Sequence, residues 1–471
     1  ELLWKINLGR FSLYDYDSLK RTIFNLNALK KQHLFFFVLK NFSLVLKNFS
    51  VYIQSMNKII STLSMLLLYS SLSAEPLSQE ESFPEKLRYM KGFPPKADKI
   101  LSASDGSFFK FPALRYSVSH MREFIPTRVV PAAIEHRYEF KKKLDKNIDN
   151  VKFTPMFSNK EMTWKESLSK NYTDGIIILH RGKIVYEKHF GELKPYGTHA
   201  VMSVSKTFTG TLGATLVAEG VLDQNKKVSH YVPALKNSAF GDATIRNLLD
   251  MQTALKYSED YSDPNSEIWA YSASGTPCKP KGYTGARSYY EYLPTIKKNG
   301  EHGKKFAYKT VNTDALGWVI SSVTGKTIPD LISERFWKPL GANVDGYYQV
   351  DDYGIAFAGG GFNASLEDLA KFGEMIRNKG KFNGKQIIPA SVFEDIIQNA
   401  DNSKFDNEHY PNLKGWGYRN MWWVTNNPNK AFMARGVYGQ AIYVDPKAEM
   451  VIVRLASTPT ASNADNDPWS L

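Results

Sequence analysis

The sequence predicts an α+β protein: a central antiparallel β-sheet flanked by helices, with a largely helical inserted subdomain at about residues 220–330. Three observations predict it. A strand–turn–strand signal occupies 174–191, apolar residues recur at helical spacing from 203 to about 380, and strand character returns from Tyr418 onward. Strands at both ends with helices between them require the early and late strands to meet in one sheet.

The ends of the chain differ from its middle. The 471 residues are 43% hydrophobic and 23% charged, as soluble globular proteins are. Residues 1–55 contain no proline and a single glycine, and are dominated by Phe, Leu, Lys, Asn, Ile and Tyr. They read as an upstream extension rather than native protein, the alternative being an N-terminal amphipathic segment. Met56 is the first methionine. Met56-Asn57-Lys58, the apolar run Ile59 to Leu72 and the small residues up to Ala74 have the layout of a secretory signal peptide over 56–74. Cleavage after Ala74 and export to the periplasm or beyond are expected. The apolar run is too short for a membrane span, so no stable span is expected in the mature chain.

Beyond residue 74 the formal charge of +13 falls to +7, with 51 Lys/Arg against 44 Asp/Glu dispersed along the chain. Dispersed charge argues against a nucleic-acid partner. Cys278 is the one cysteine, which excludes an intramolecular disulfide, and its Pro-Cys-Lys-Pro setting makes it a poor catalytic thiol. The nine histidines show neither HExxH nor clustered ligand spacing, so no metal and no cofactor are expected.

Residues 75–150, rich in proline, charge and aromatics, read as an N-terminal wrapping segment, and 151–471 as the main domain. Within it, Ile176-Ile177-Ile178-Leu179 and Ile184-Val185-Tyr186-Glu187 flank a short turn at His180-Arg181-Gly182-Lys183. Helices are expected over Ser203–Glu219, Ile245–Leu249, Asn312–Thr324 and Leu366–Asn378, the last opened by a capping box at Ser365-Leu366-Glu367-Asp368. Tyr418 to Thr425, Gln440 to Val444 and Met450 to Leu455 are expected strands. Trp416, Trp422 and Trp423 suit core packing or a substrate groove. Ala358-Gly359-Gly360-Gly361 lacks phosphate-loop spacing and reads as a tight turn.

Three motifs carry the chemistry. Ser203 and Lys206, three residues apart, share one face of a helix's first turn, bringing a hydroxyl near an amine that could take its proton. Ser55…Lys58, Ser107…Lys110 and Ser167…Lys170 have the same spacing. Only Ser203 opens a run of small residues (Thr207, Thr209, Gly210, Gly213, Ala214, Thr215), which suits a helix buried at the centre. A lysine there is costly unless it is paired or loses its charge, the alternative being a side chain reaching to solvent. The second motif is Tyr308 ahead of Asn312-Thr313-Asp314; a phenol held near ammonium groups is expected to have its pKa lowered toward use as a base. The third is Arg435-Gly436-Val437, where glycines beside an edge strand allow an N–H to meet an oxyanion.

In this order the motifs resemble the serine β-lactamase and penicillin-binding-protein superfamily. The resemblance covers most of 150–460 and is closest to its class C-like branch, with the 6-aminohexanoate-dimer hydrolases and related esterases. Ser203-Val204-Ser205-Lys206 and Tyr308…Asn312-Thr313-Asp314 carry it most strongly. Glu259-Asp260-Tyr261-Ser262-Asp263-Pro264, Ala358 to Gly361 and Gly439-Gln440 with Asp445-Pro446 add to it.

The resemblance implies a serine hydrolase cleaving small carboxylic esters or amides through an acyl-enzyme. Ser203 would be the nucleophile, with Lys206 and Tyr308 moving its proton. The backbone N–H groups of Ser203 and Val437 would form the oxyanion hole, and Tyr261, Asn312, Arg435 and Gly436 would bind substrate. A D-Ala-D-Ala peptidase or β-lactamase, and a non-catalytic peptidoglycan- or ligand-binding relative, are the alternatives. Two departures bear on the choice. The family's Tyr-x-Asn is here Tyr308-Lys309-Thr310, and its Lys-Thr/Ser-Gly is Ala434-Arg435-Gly436, so efficient penicillin hydrolysis is not expected. Ser272 falls where an acid would read the amine of an aminohexanoate dimer. Family members also close with a helix, which Pro459 to Leu471 does not resemble, and a truncated reading frame would account for both ends. The sequence carries no signal of oligomeric state.

Overall fold

The computed structural model describes residues 76–155, 158–276, 279 and 282–461. The expectations for the upstream extension, the signal peptide, Cys278 and the C-terminal residues from 462 on lie outside the described residues. From Leu77 on the chain gathers into one compact unit.

In chain order, the elements that build the frame are β1 (Thr127–Val130), α1 (Trp164–Lys170), β2 (Thr173–His180), β3 (Lys183–His189) and β4 (Thr198–Ala200). Next come α2 (Val204–Ala218), α3 (Ile245–Leu249), α4 (Glu267–Gly275), α5 (Val311–Thr324), β5 (Gly346–Gln349), β6 (Phe362–Ser365), α6 (Leu366–Arg377) and α7 (Ala390–Asn399). The chain closes with β7 (Gly417–Arg419), β8 (Trp422–Val424), β9 (Phe432–Gly436), β10 (Gln440–Asp445) and β11 (Met450–Ala456).

The main sheet is antiparallel, in the order β7-β8-β9-β10-β11-β2-β3. Its early and late strands meet where β11 pairs with β2, from Met450 opposite His180 to Arg454 opposite Ile176. The β2–β3 hairpin turns at Arg181 and Gly182, both at positive φ, as a two-residue turn requires. β2 is a continuous apolar run because both of its faces are covered. Ile177 and Leu179 enter the main core, which includes Leu366, Leu369 and Phe372 of α6, while Ile176 and Ile178 pack with Leu168 of α1.

α2 runs through the centre of the molecule and is buried along nearly its whole length. Its polar side chains find internal partners: Ser205 Oγ donates to Met202 O at 2.6 Å, and Thr207 Oγ1 to Met421 O at 2.9 Å. The expected capping box at α6 forms only in half. Ser365 Oγ accepts from Asp368 N, but the Asp368 carboxylate turns to Asn343 N and Lys371 Nζ instead of the Ser365 N–H.

Two features depart from the sequence reading. A second sheet, β1-β5-β6-β4, joins the N-terminal segment to the strand just before α2. The aromatic-rich stretch 418–425 is a hairpin rather than one strand, because Asn420 and Met421 adopt left-handed φ values of 50° and 62°.

Asp174, at the start of β2, ties the N-terminal segment to both sheets. Its carboxylate accepts from Arg115 Nη2 at 3.0 Å and Ser457 Oγ at 2.5 Å, and lies 3.3 Å from His199 Nε2. All four side chains are buried. Asp174→Ala leaves Arg115 a buried charge without its carboxylate, which is expected to cost about 3 kcal/mol or more of stability. A lowered denaturant midpoint measures it; an unchanged midpoint contradicts this role.

Candidate active site

Ser203 stands where β4 gives way to α2. Val201 N donates to Phe362 O of β6 at 3.0 Å, and Met202 then takes a left-handed φ of 49° that turns the chain into the helix. A non-glycine residue held at positive φ is uncommon and stays there only when its surroundings fix it. Met202 is fixed by packing with Leu114, Met121 and Tyr347. The turn leaves Ser203 half-buried at the N-terminus of α2.

Lys206, one turn on, is 1% exposed. Its Nζ lies 2.8 Å from Ser203 Oγ and 2.7 Å from Gly359 O, and sits over the Tyr308 ring at 5.1 Å from its centre. The side chain therefore turns inward rather than reaching solvent. Burial pushes the amine down to about 8, against the opposing pull of Glu259 and Asp314. A neutral amine in hydrogen-bond contact with a serine hydroxyl can accept that hydroxyl's proton.

Tyr308 occupies the stretch leading into α5, packed against Trp423 at 5.3 Å between ring centres. Its phenol does not have the lowered pKa expected from the sequence. Burial raises it, the nearby Glu259 carboxylate raises it further, and the Ser203 hydroxyl and Arg435 only partly offset this. Tyr308 is thus a neutral hydrogen-bonding group beside Ser203, and the base-ready group is Lys206. Glu259, given no role from sequence, is built in firmly: its carboxylate accepts from Thr310 N at 2.5 Å and from Tyr261 Oη at 3.1 Å.

On the other side of Ser203 lies the end of β9. The β8–β9 register pairs Val424 with Phe432 and Trp423 with Met433 and stops short of Ala434 to Gly436, whereas β9 continues to pair with β10 through Gly436. A Cβ at Gly436 would fall 2.9 Å from Val201 O and 3.0 Å from Ser203 N, so only glycine lets the two backbones approach this closely. Val437 follows in a short turn held by Tyr438 at φ 63°. Gly436→Val is expected to push this turn off Ser203 and lower kcat by roughly 100-fold or more, the scale of losing an oxyanion donor. Steady-state ester kinetics measure this, and an undiminished kcat contradicts it.

Ser203, Tyr308, Tyr261, Arg435, Gly436 and Val437 all line one cavity of about 930 Å³. Arg435 lies over the Trp423 ring at 5.0 Å, while Ala434, the residue before it in β9, is fully buried. Of the three tryptophans weighed from sequence, Trp423 lines this cavity, and Trp422 donates to Thr211 Oγ1 in the core. Asn312 is not at the cavity. It lies within α5, fully buried, with its Oδ1 accepting from Thr253 Oγ1 at 2.6 Å. The helix turns that side chain away from the cleft, so the substrate-binding role expected for Asn312 is corrected to a core one. Gly359, read from sequence as part of a turn and of the family resemblance, supplies a carbonyl to Lys206. Among the described residues no three His, Cys, Asp or Glu side chains converge as metal ligands do, and no helix is long and apolar enough to cross a membrane.

Comparisons with known proteins bear on the family and the fold. Residues 170–470 match the family model described as Beta-lactamase. The 6-aminohexanoate-dimer hydrolase of Paenarthrobacter ureafaciens is 31% identical over 297 residues, covering 63% of this chain and 75% of that protein. A solved Bacillus anthracis structure, provisionally named a 6-aminohexanoate-dimer hydrolase, is 34% identical. It covers 77% of this chain and 93% of its own, with a TM-score of 0.70. EstCE1, a hydrolase with promiscuous acyltransferase activity, shares the fold at 16% identity, 65% and 95% coverage and a TM-score of 0.52. A fold centred on Ser203 and Lys206 and a family match spanning most of the chain lead to one assignment: this protein belongs to the Beta-lactamase family and is a serine hydrolase.

Proposed function

We propose that the protein hydrolyses small carboxylic esters or amides through an acyl-enzyme on Ser203. The observation that carries this reading is the 2.8 Å contact between Ser203 Oγ and a buried Lys206 amine whose pKa is pushed down to about 8. Ser203 Oγ attacks the carbonyl carbon and its proton passes to Lys206 Nζ. The oxyanion sits between the Ser203 and Val437 N–H groups, whose segments meet at Gly436. Lys206, through the neutral Tyr308 phenol, returns the proton to the leaving alcohol or amine. A water then attacks the acyl ester, giving a proton to Lys206, which returns it to the departing Ser203 Oγ, so that the acid is released and the serine hydroxyl and neutral amine are restored.

A second reading, an amide with charged ends such as a 6-aminohexanoate dimer, is favoured by the cavity lining. Arg435 lines it on one strand, and Asp260 and Asp406 supply acidic groups in place of one at Ser272. The same arginine offers a cation where Ala434 has none, which keeps a β-lactam or D-Ala-D-Ala peptide among the candidates. Export through the 56–74 signal peptide belongs to the proposal; mass spectrometry of the secreted form should find Glu75 at its N-terminus.

The test is a panel of p-nitrophenyl esters, nitrocefin, D-Ala-D-Ala peptides and aminohexanoate dimers. Esters or amides should be turned over, with kcat/KM rising about tenfold per pH unit below about 8 and levelling above it. The sign follows from Lys206, which can take a proton only once it has lost its own. Absence of turnover across the panel, or a rate that falls as pH rises through 8, overturns the reading.

A further inference from the structure

Behind Lys206, away from the cleft, lies a buried carboxylate that the acyl-transfer steps do not use. Asp314, in the first turn of α5, is 1% exposed. Its Oδ1 accepts from Gly359 N at 3.2 Å, and Gly359 O in turn accepts from Lys206 Nζ at 2.7 Å. The backbone of one residue therefore straps the carboxylate to the amine. The strap needs glycine, because a Cβ there would fall 2.7 Å from Asp314 Oδ2 and 2.6 Å from Thr310 Cγ2.

The other oxygen, Asp314 Oδ2, is buried, as is the neighbouring Tyr271 Oη of α4, a phenol that faces the carboxylate and favours its charged form. Tyr289, Tyr290 and Tyr348 also face this carboxylate, Lys206 is the cation it faces, and Glu259 faces Lys206 from the cleft side. Burial holds the Asp314 carboxyl up at about 7. A carboxylate buried this deeply costs a core stability and has no packing rationale that an apolar residue would not serve better. Its place beside Lys206, whose amine is in contact with Ser203, supplies a rationale.

We propose that Asp314 is a positioning residue for Lys206: through the Gly359 backbone it holds the amine against Ser203, and its charge governs how readily that amine gives up its own proton. This rests on the reading of Lys206 as the proton acceptor. An anionic neighbour favours the ammonium form, so removing the charge makes Lys206 neutral at lower pH.

The experiment compares pH–rate profiles for a p-nitrophenyl ester in wild type, Asp314→Asn, Asp314→Ala and Tyr271→Phe. Asp314→Asn keeps an acceptor for Gly359 N, and its acid limb should move down by about half a pH unit or more. Asp314→Ala also removes the strap, and its plateau kcat should fall roughly tenfold or more with KM little changed. Tyr271→Phe removes a group that favours the charged carboxylate, so its acid limb should move in the same direction, by less. It supplies the test if the Asp314 variants fail to fold. Wild-type acid limbs in all folded variants, or shifts to higher pH, overturn the proposal. Lys206→Met separates the two levels: if it stays active, the proton-acceptor reading fails, whereas an inactive Lys206→Met beside unshifted Asp314 and Tyr271 variants sinks only the role of Asp314.

Discussion

Lys206→Met is expected to lower kcat/KM for a p-nitrophenyl ester by roughly 1,000- to 10,000-fold, about 4–5.5 kcal/mol of transition-state stabilisation. Methionine fills nearly the same buried space, so the fold survives and the loss reports chemistry. The amine is held at two points, by Ser203 Oγ and by Gly359 O, and sits over the Tyr308 ring. Lys206 Nζ is the amine in hydrogen-bond contact with Ser203 Oγ. Tyr308 cannot substitute as a base, since burial and Glu259 raise its phenol pKa. The measurement is a steady-state comparison above pH 8, where the wild-type amine is largely neutral. Activity within tenfold of wild type would assign the proton transfer elsewhere.

The second large effect is expected at the nucleophile. Ser203→Ala should reduce hydrolysis by roughly 10,000-fold or more, because no acyl-enzyme can form. What remains is substrate binding and the backbone around Gly436, which still polarise a bound carbonyl. The residual rate should no longer show the burst of released p-nitrophenol that an accumulating acyl-enzyme gives. Stopped-flow measurement of that burst in both proteins checks the prediction; an equal burst in Ser203→Ala contradicts it.

Much of this site was legible in the sequence, for physical reasons that also mark where legibility stopped. Ser203 and Lys206 follow from the pitch of a helix, which fixes neighbours three residues apart wherever the helix lies. The small residues after them announced burial, and α2 is buried. The β2–β3 hairpin is readable because its apolar runs and turn chemistry are local, and the meeting of early and late strands follows from the order of the elements.

Individual side-chain contacts between distant loops and helices are not readable. Glu259 meets Thr310 across 51 residues, and Asp314 meets Gly359 across 45. Both change the electrostatics of the site, and neither leaves a periodic trace. Tyr308 was expected to be acidified because a nearby cation was foreseeable, whereas its burial and the Glu259 charge were not. Asn312 was misplaced for a related reason: Tyr308 precedes the helix and Asn312 lies within it, so their side chains need not share a face. The four-stranded sheet leaves little trace in the sequence because its strands run only three or four residues, too short for alternation to stand out.

The most direct test of the account is covalent trapping. The protein is treated with a fluorophosphonate probe at pH 8.5, digested, and the modified peptide sequenced by mass spectrometry. A single adduct on Ser203, absent in Ser203→Ala and slowed at pH 6, is the predicted result. An adduct on another residue, or equal labelling of Ser203→Ala, would contradict the assignment of Ser203 as the nucleophile.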